Sequence, residues 1–409
     1  MFAAIAAGAY SGLQAFIDAA MFATVVFAPA GLPLDVGIQH ALLGSVITQT
    51  AVTYFTGADA LLSPGSYEVM PFLGRFASGV AAALKAERAS DAAALPTVLA
   101  GSMIINLIAA VLFALLSALP LGDAVTAALP APMQAGIFAA IGWSLYGLSY
   151  ETLGLAEPAA LFITGDAFDY SAYRLWLPAT ILGLGLWHAS RVTSHPALFP
   201  AFALGLTGAT HAIRIAAGAT TDEARADGWL MATMEARPCW TLWAARSFSD
   251  VRFDLIFSAD ALGELGAAAL FGPIINTVLN LALLTPVIGK ALETSTELRA
   301  HSIGTFGAAL GGGYSSYLAV SNTAVHIKCG GTNRASCYAA AAAAALFFVA
   351  HRLFFVRRDL AEIQTRATTR AHSHAHTFTR WSAMCPRCSC PRRAHSSAST
   401  SFGTASARK

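Results

Sequence analysis

The chain has 409 residues, of which 56% are hydrophobic and only 12% charged, about half the charged fraction of an ordinary globular domain. Soluble packing fits that balance poorly, and nucleic acid is not an expected partner. The net charge of +2 conceals an asymmetry, because ten of the 25 Lys/Arg and two of the 23 Asp/Glu fall in residues 357–409, which leaves the preceding body mildly acidic.

Taken in order, the apolar segments run over about 2–28, 37–56, 69–84, 94–119, 133–155, 175–190, 197–217, 253–272, 274–292, 303–320 continued by 321–329, and 337–356. Recurring runs of this length read as membrane spans, so an all-α polytopic membrane protein is predicted. The first run begins at Phe2 without a basic n-region and is too long for a signal h-region. The eighth and ninth segments also read as one long bent helix plus an interfacial one. Residues 155–173, with Glu157, Asp166 and Asp169, read as lying along a surface. Residues 218–252 form a polar loop whose Trp229, Trp240 and Trp243 suit a membrane–water interface.

Two of the apolar stretches break in the middle. The first break reads Leu61-Leu62-Ser63-Pro64-Gly65-Ser66-Tyr67-Glu68-Val69-Met70-Pro71-Phe72, and the second Gly311-Gly312-Gly313-Tyr314-Ser315-Ser316-Tyr317-Leu318-Ala319-Val320-Ser321-Asn322-Thr323. Each places Gly, Pro or Ser before a short apolar helix. From Val69 to Leu84 a helix is roughly 24 Å long, less than the bilayer core of about 30 Å. Lys85, Glu87 and Arg88 fix its far end at a surface, so its start is predicted inside the membrane. From Ser321 to Lys328 the helix is shorter still, roughly 12 Å. Irregular backbone at that depth is tolerated only where protein buries it or a wet cavity receives it. Paired breaks of this kind point to a transporter's binding site.

The blocks along the chain resemble the SulP (sulfate permease) family of anion transporters, and its fungal and algal vacuolar-type branch in particular. The resemblance covers about residues 12–335. It is carried by Phe16-Ile17-Asp18-Ala19-Ala20, by Gly65 to Phe72, by Phe138 to Trp143, by Glu223 to Leu230, by Glu297-Leu298-Arg299-Ala300-His301, by Tyr317 to Thr323, and by Gly330-Gly331-Thr332-Asn333-Arg334. No block is distinctive alone; their order carries the match.

The resemblance implies two inverted seven-span repeats with broken third and tenth spans, an anion held between the facing helix starts, and a mobile core that carries it past a gate as an elevator does. The implied divisions are 1–217 for the first repeat, 218–252 for the interfacial loop, 253–356 for a partial second repeat of spans eight to eleven, and 357–409 for a disordered basic tail. Three departures accompany it. The last gate spans and the family's C-terminal STAS domain are not visible, so the expected fold is incomplete at about eleven spans. Asn322 stands where many members carry an Arg, which removes a fixed charge that would favour sulfate.

The expected function is secondary transport of a small, sulfate-like inorganic anion across a vacuolar or plasma membrane, with the lipid bilayer and a second copy of the chain as partners, and without enzymatic activity, cofactor or metal. The residues expected at the substrate are Asp18, Ser66, Tyr67, Glu68, Ser321, Asn322 and Thr323. Two helix starts facing each other offer unpaired N–H groups and partial positive charge to an anion; the plainer reading of Ser, Thr and Asn there is N-capping. Asp18 and Glu68 are acids within spans, which are costly and usually functional. Glu68 reads either as a protonatable group that couples anion uptake to protons or as a structural acid held by a backbone donor. Ser63 is a further candidate hydroxyl donor, and Lys290, Arg299, His301 and Lys328 read as interfacial anchors.

Competing readings are a nucleobase-type transporter of the same fold, which an uncharged ligand between Glu68 and Asn322 would suit, and a non-transporting remnant. In the tail, Cys385, Cys388 and Cys390 with His372, His374 and His376 make a weak zinc signal. Ten basic residues on the expected non-cytoplasmic side run against the positive-inside tendency.

Overall fold

The computed structural model describes residues 2–355 apart from 64, 66, 89, 120–130, 194, 196, 197, 231–236 and 291. Ser66 and the tail cysteines and histidines lie outside the described residues.

The first apolar run forms α1 (Phe2–Phe22), drawn out by a π-helical turn over Ala23–Phe27, and the second forms α2 (Leu34–Phe55). The chain then runs without helix from Thr56 until a 3-10 turn at Tyr67–Val69 opens α3 (Met70–Ala86). Pro71 sits in the first turn of α3, where the missing N–H costs nothing. Next come α4 (Ala94–Ala118) and α5 (Ala131–Thr152), the short α6 (Pro158–Thr164), α7 (Tyr170–Val192) and α8 (Leu198–Ala216). The polar loop holds α9 (Thr221–Ala226) and α10 (Thr241–Ala244), and the short α11 (Phe253–Ile256) opens the eighth segment. In α9, Thr220 and Glu223 form a capping box. The Thr220 backbone N–H and hydroxyl hold the Glu223 carboxyl below its usual range.

The eighth and ninth segments are one rod, the second of the two readings of them. It runs from α12 (Ala259–Ala269) through a π-helical stretch, Leu270–Ile275, into α13 (Asn276–Ile288). Pro273 lies in the π stretch, which absorbs a residue that lacks an N–H without ending the helix. The chain closes with α14 (Thr294–Gly311), the short α15 (Val320–Lys328) and α16 (Arg334–Phe355). Among the described residues there is no strand, only an isolated antiparallel bridge between Gly65 and Tyr317. Three helical stretches, Ala3–Phe27, Ala94–Ala118 and Ala259–Leu281, are long and apolar enough to cross a membrane by length and composition alone.

Helices α1–α4 and α12–α16 form one packed cluster around a shared core. Small residues set how closely they approach. A Cβ on Gly8 would fall 2.4 Å from the Ala339 Cβ, and one on Gly12 would fall 2.3 Å from the Ala343 Cβ. Both helices thus present small residues four apart, the spacing that lets membrane helices touch backbone to backbone. Outside the cluster, α5, α7 and α8 keep large apolar side chains exposed, among them Trp143, Ile181, Leu184, Trp187 and Ile213. The polar loop reaches back to the cluster. There the Trp243 Nε1–H donates to the Gly311 carbonyl at 2.8 Å, and Arg237 lies 3.9 Å from the buried Asp35.

Candidate functional site

Both breaks bury irregular backbone, and polar side chains from the spans satisfy it. For the first, the Gln49 amide donates to the Leu61 carbonyl at 3.0 Å and accepts the Ser63 N–H at 2.8 Å. The Leu62 N–H goes to the Thr323 hydroxyl at 3.1 Å. For the second, Asn106 donates to the Gly313 carbonyl at 2.9 Å and accepts from both the N–H and the hydroxyl of Ser315. His40 takes the Gly312 carbonyl on Nδ1 at 2.8 Å, and its own carbonyl accepts the Tyr314 N–H. Asn280 donates to the Leu318 carbonyl at 2.7 Å. Buried amides of this kind replace the ladder that a helix would have supplied.

The segments cross at Gly65 and Tyr317. The Tyr317 N–H donates to the Gly65 carbonyl at 3.2 Å, and the Ala319 N–H to the Leu62 carbonyl at 3.2 Å. Gly44 makes room for the crossing strand: a Cβ there would stand 1.6 Å from the Tyr314 carbonyl oxygen.

On the first side of the crossing stand two carboxylates, each held by a tyrosine. The Tyr67 hydroxyl donates to Asp18 Oδ1. Asp18 is buried, and its Oδ2 has no partner among the described residues. A Cβ on Gly65 would lie 3.2 Å from that oxygen, which places it against the crossing backbone. The Tyr317 hydroxyl donates to Glu68 Oε2 at 2.5 Å and accepts the Glu68 backbone N–H at 3.0 Å. Tyr317 therefore belongs to the second break but closes around the first helix start.

On the second side, α15 begins after Ala319, whose side chain makes no cap. Its first intrahelical bond is from Thr323 N–H to the Ala319 carbonyl. The N–H groups of Val320, Ser321 and Asn322 have no acceptor among the described residues. They form a bare helix start carrying roughly half a positive charge. Asn322 is 4% exposed, and its Nδ2 has no partner among the described residues. The Ser321 hydroxyl donates to Asn322 Oδ1 at 3.0 Å, which orients the amide.

Of the residues singled out in the sequence, Asp18, Tyr67 and Glu68 meet on one side of the crossing, and Ser321 and Asn322 stand on the other. Thr323 is fully buried and its hydroxyl accepts the Leu62 N–H, so it helps to hold the first break. Ser63 is likewise occupied, 3.1 Å from the His301 Nε2. His301 is itself fully buried and not an interfacial anchor, since its Nδ1 bonds the Glu297 carbonyl. Sequence reasoning missed Gln49, Asn106, Asn280, His40 and Tyr317. The signal available for them was polar residues inside apolar runs. Among the described residues no group of His, Cys, Asp or Glu is arranged to hold a metal ion.

No protein-family model matches the chain, and no curated protein matches it. Six chains of solved structure do. One is the transmembrane domain of a cyanobacterium bicarbonate transporter, BicA, with 19% sequence identity, a TM-score of 0.56, and coverage of 85% of this chain and 83% of that one. The likeness gives the fold: this is an integral membrane protein with an all-α polytopic transporter architecture.

Proposed function

We propose that this chain is a secondary transporter of small inorganic anions, bound at the crossing of the two breaks and carried by movement of the packed helix cluster past α5, α7 and α8. The observation that carries this reading is the bare start of α15. Three backbone N–H groups and the buried Asn322 Nδ2, without partners among the described residues, stand near the Gly65–Tyr317 bridge. Donors of this kind bind anions without a basic residue, and leaving them unmet costs about 1–3 kcal/mol each. The bicarbonate substrate of the structural neighbour supports a small-anion cargo.

Asp18 and Glu68 fit proton coupling, because a carboxylate that takes up a proton ceases to repel the incoming anion. With Asp18 and Glu68 both at the crossing, a monovalent anion suits it better than sulfate does. The fold's two seven-span repeats, with 1–217 as the first and 253–356 as part of the second, belong to the same proposal.

The test is uptake into proteoliposomes of labelled bicarbonate, sulfate, nitrate and chloride, with and without a proton gradient, for the wild type, Asn322→Ala and Glu68→Gln. Asn322→Ala is expected to lower uptake by roughly tenfold or more, and Glu68→Gln to remove stimulation by the gradient. Anion uptake that Asn322→Ala leaves unchanged would refute the site. Uracil competing where anions do not would favour a nucleobase cargo.

A further inference from the structure

A cavity of about 80 Å³ lies between the packed cluster and the outlying helices, lined by Pro71 and Arg75 of α3, Trp143, Ser144 and Gly147 of α5, and Glu157 with Pro158 and Ala159 at the start of α6. Holding one water takes roughly 10–15 Å³ of such space, so the cavity has room for a small oxyanion. Pro71 and Arg75 are four residues apart and share one face of α3. Arg75 therefore stands one helical turn from Pro71 and seven residues, roughly 10 Å, along the helix from Glu68.

Arg75 is half-exposed, and only part of its fork is in use. Its Nε–H donates to Glu264 Oε1 at 2.8 Å, and its guanidinium lies 5.1 Å over the Phe72 ring. Neither terminal nitrogen has an acceptor among the described residues. The Ser144 hydroxyl, on the opposite wall, has no partner among them either. A charged residue at such a place in a membrane protein marks a substrate path, and a guanidinium fork matches an oxyanion in two-point geometry.

We infer that this cavity is a second anion station on the transport path, selective for a small monovalent oxyanion that carries its own hydroxyl, such as bicarbonate. The inference rests on the transport reading above. The terminal N–H groups of Arg75 and the Ser144 hydroxyl donate to the anion's oxygens. Glu157, which lines the same cavity as a carboxylate, accepts the anion's O–H. Glu264 already offsets part of the Arg75 charge and Glu157 stands on the same cavity, so a dianion such as sulfate is disfavoured more strongly than a monoanion whose own O–H can satisfy Glu157. An anion without a hydroxyl leaves Glu157 unmatched. The crossing has the same make-up, bare donors beside a carboxylate, so an anion of this class meets matching partners at both places.

The test uses the purified full chain in lipid nanodiscs. Trp143 lines the cavity and is 61% exposed, so the fluorescence of the wild type minus that of Trp143→Phe reports on it. Sodium bicarbonate is titrated at fixed pH and ionic strength, and sodium sulfate in a parallel series. A saturable bicarbonate response is expected, kept in Asn322→Ala, weakened roughly tenfold or more in Arg75→Gln, and partly restored in Arg75→Lys. Ser144→Ala, weaker by roughly threefold, replaces Arg75→Gln if that variant does not fold. No saturable response, or one that Arg75→Gln and Ser144→Ala leave unchanged, would overturn the station. An equal response to sulfate would overturn its selectivity. A response lost in Asn322→Ala would assign the signal to the crossing and overturn a separate station. Failure of the transport reading looks different: Asn322→Ala then leaves uptake unchanged whatever Trp143 reports.

Discussion

Where α2 ends at Phe55, the chain runs through Gly65 to a helix start crowded with acid: Asp18 and Glu68 stand there, and the Glu68 N–H is taken by the Tyr317 hydroxyl. Where α14 ends at Gly311, the chain runs through Tyr317 to an uncharged helix start, with three N–H groups and the Asn322 amide that have no acceptor among the described residues. Similar backbone paths thus end in opposite chemistry. One side supplies acceptors and protonatable groups, and the other supplies donors. A site of two bare helix starts would bind any anion. The asymmetry found here favours a ligand that both accepts and donates, or an anion accompanied by a proton.

The largest expected effect concerns how each strand is seated. A Cβ on Gly44 would meet the Tyr314 carbonyl at 1.6 Å, backbone that cannot move aside, whereas one on Gly65 would meet the Tyr67 ring at 2.9 Å. Gly44→Ala is therefore expected to destabilise by about 3 kcal/mol or more and to abolish a monodisperse peak in size-exclusion chromatography. Gly65→Ala is expected to fold and to lose uptake, since Tyr67 shifts off Asp18. Equal behaviour of the two variants would show that the second strand is not seated on α2.

The next contrast is between the amides that hold the breaks. Asn106→Leu strands the Gly313 carbonyl and the Ser315 N–H, and Gln49→Leu strands the Leu61 carbonyl and the Ser63 N–H. Each is expected to cost roughly 2–4 kcal/mol, read as a lower apparent Tm in detergent. Asn106→Leu should suppress uptake more, because it releases the strand that leads to the bare helix start. Tyr317→Phe comes next: it keeps the ring and the backbone bridge but frees the Glu68 carboxylate and N–H. A roughly fivefold rise in KM is expected. An unchanged KM would mean that the Tyr317–Glu68 contact does not shape the site.

Much of this architecture is legible in the sequence, because bilayer spans need long apolar runs and the breaks need Gly, Pro and Ser. Both broken segments and the short α15 follow from such local signals. Of the two readings of the eighth and ninth segments, the sequence could not choose the continuous one, because the π stretch that accommodates Pro273 depends on packing. Gly272 lies there against Val69, 3.1 Å from where its Cβ would be. Gln49, Asn106 and Asn280 look like scattered polar residues in apolar helices. Their partners in the breaks are as many as 209 positions away, and no periodicity reports a contact of that range. The backbone contact of Thr323 was illegible for the same reason. Its hydroxyl sits where a ligand donor is expected, but it serves Leu62 on the other side of the crossing.

The smallest effect belongs to Ser321, and it sharpens the contrast most narrowly. Its hydroxyl is exposed and donates to Asn322 Oδ1 at 3.0 Å. That bond commits the amide oxygen and leaves Nδ2, the atom without a partner, as the group presented to a ligand. Ser321→Ala removes no backbone donor and buries nothing new, so stability should stay within about 0.5 kcal/mol. It frees the amide to turn, so part of the population would present an oxygen where an anion needs a donor. Uptake should therefore fall by roughly twofold to threefold, chiefly through KM. Ser321→Thr keeps the hydroxyl and should restore it. If Ser321→Ala and Ser321→Thr are equally impaired, the hydroxyl does not act through Asn322, and the donor side of the crossing then rests on the backbone N–H groups alone.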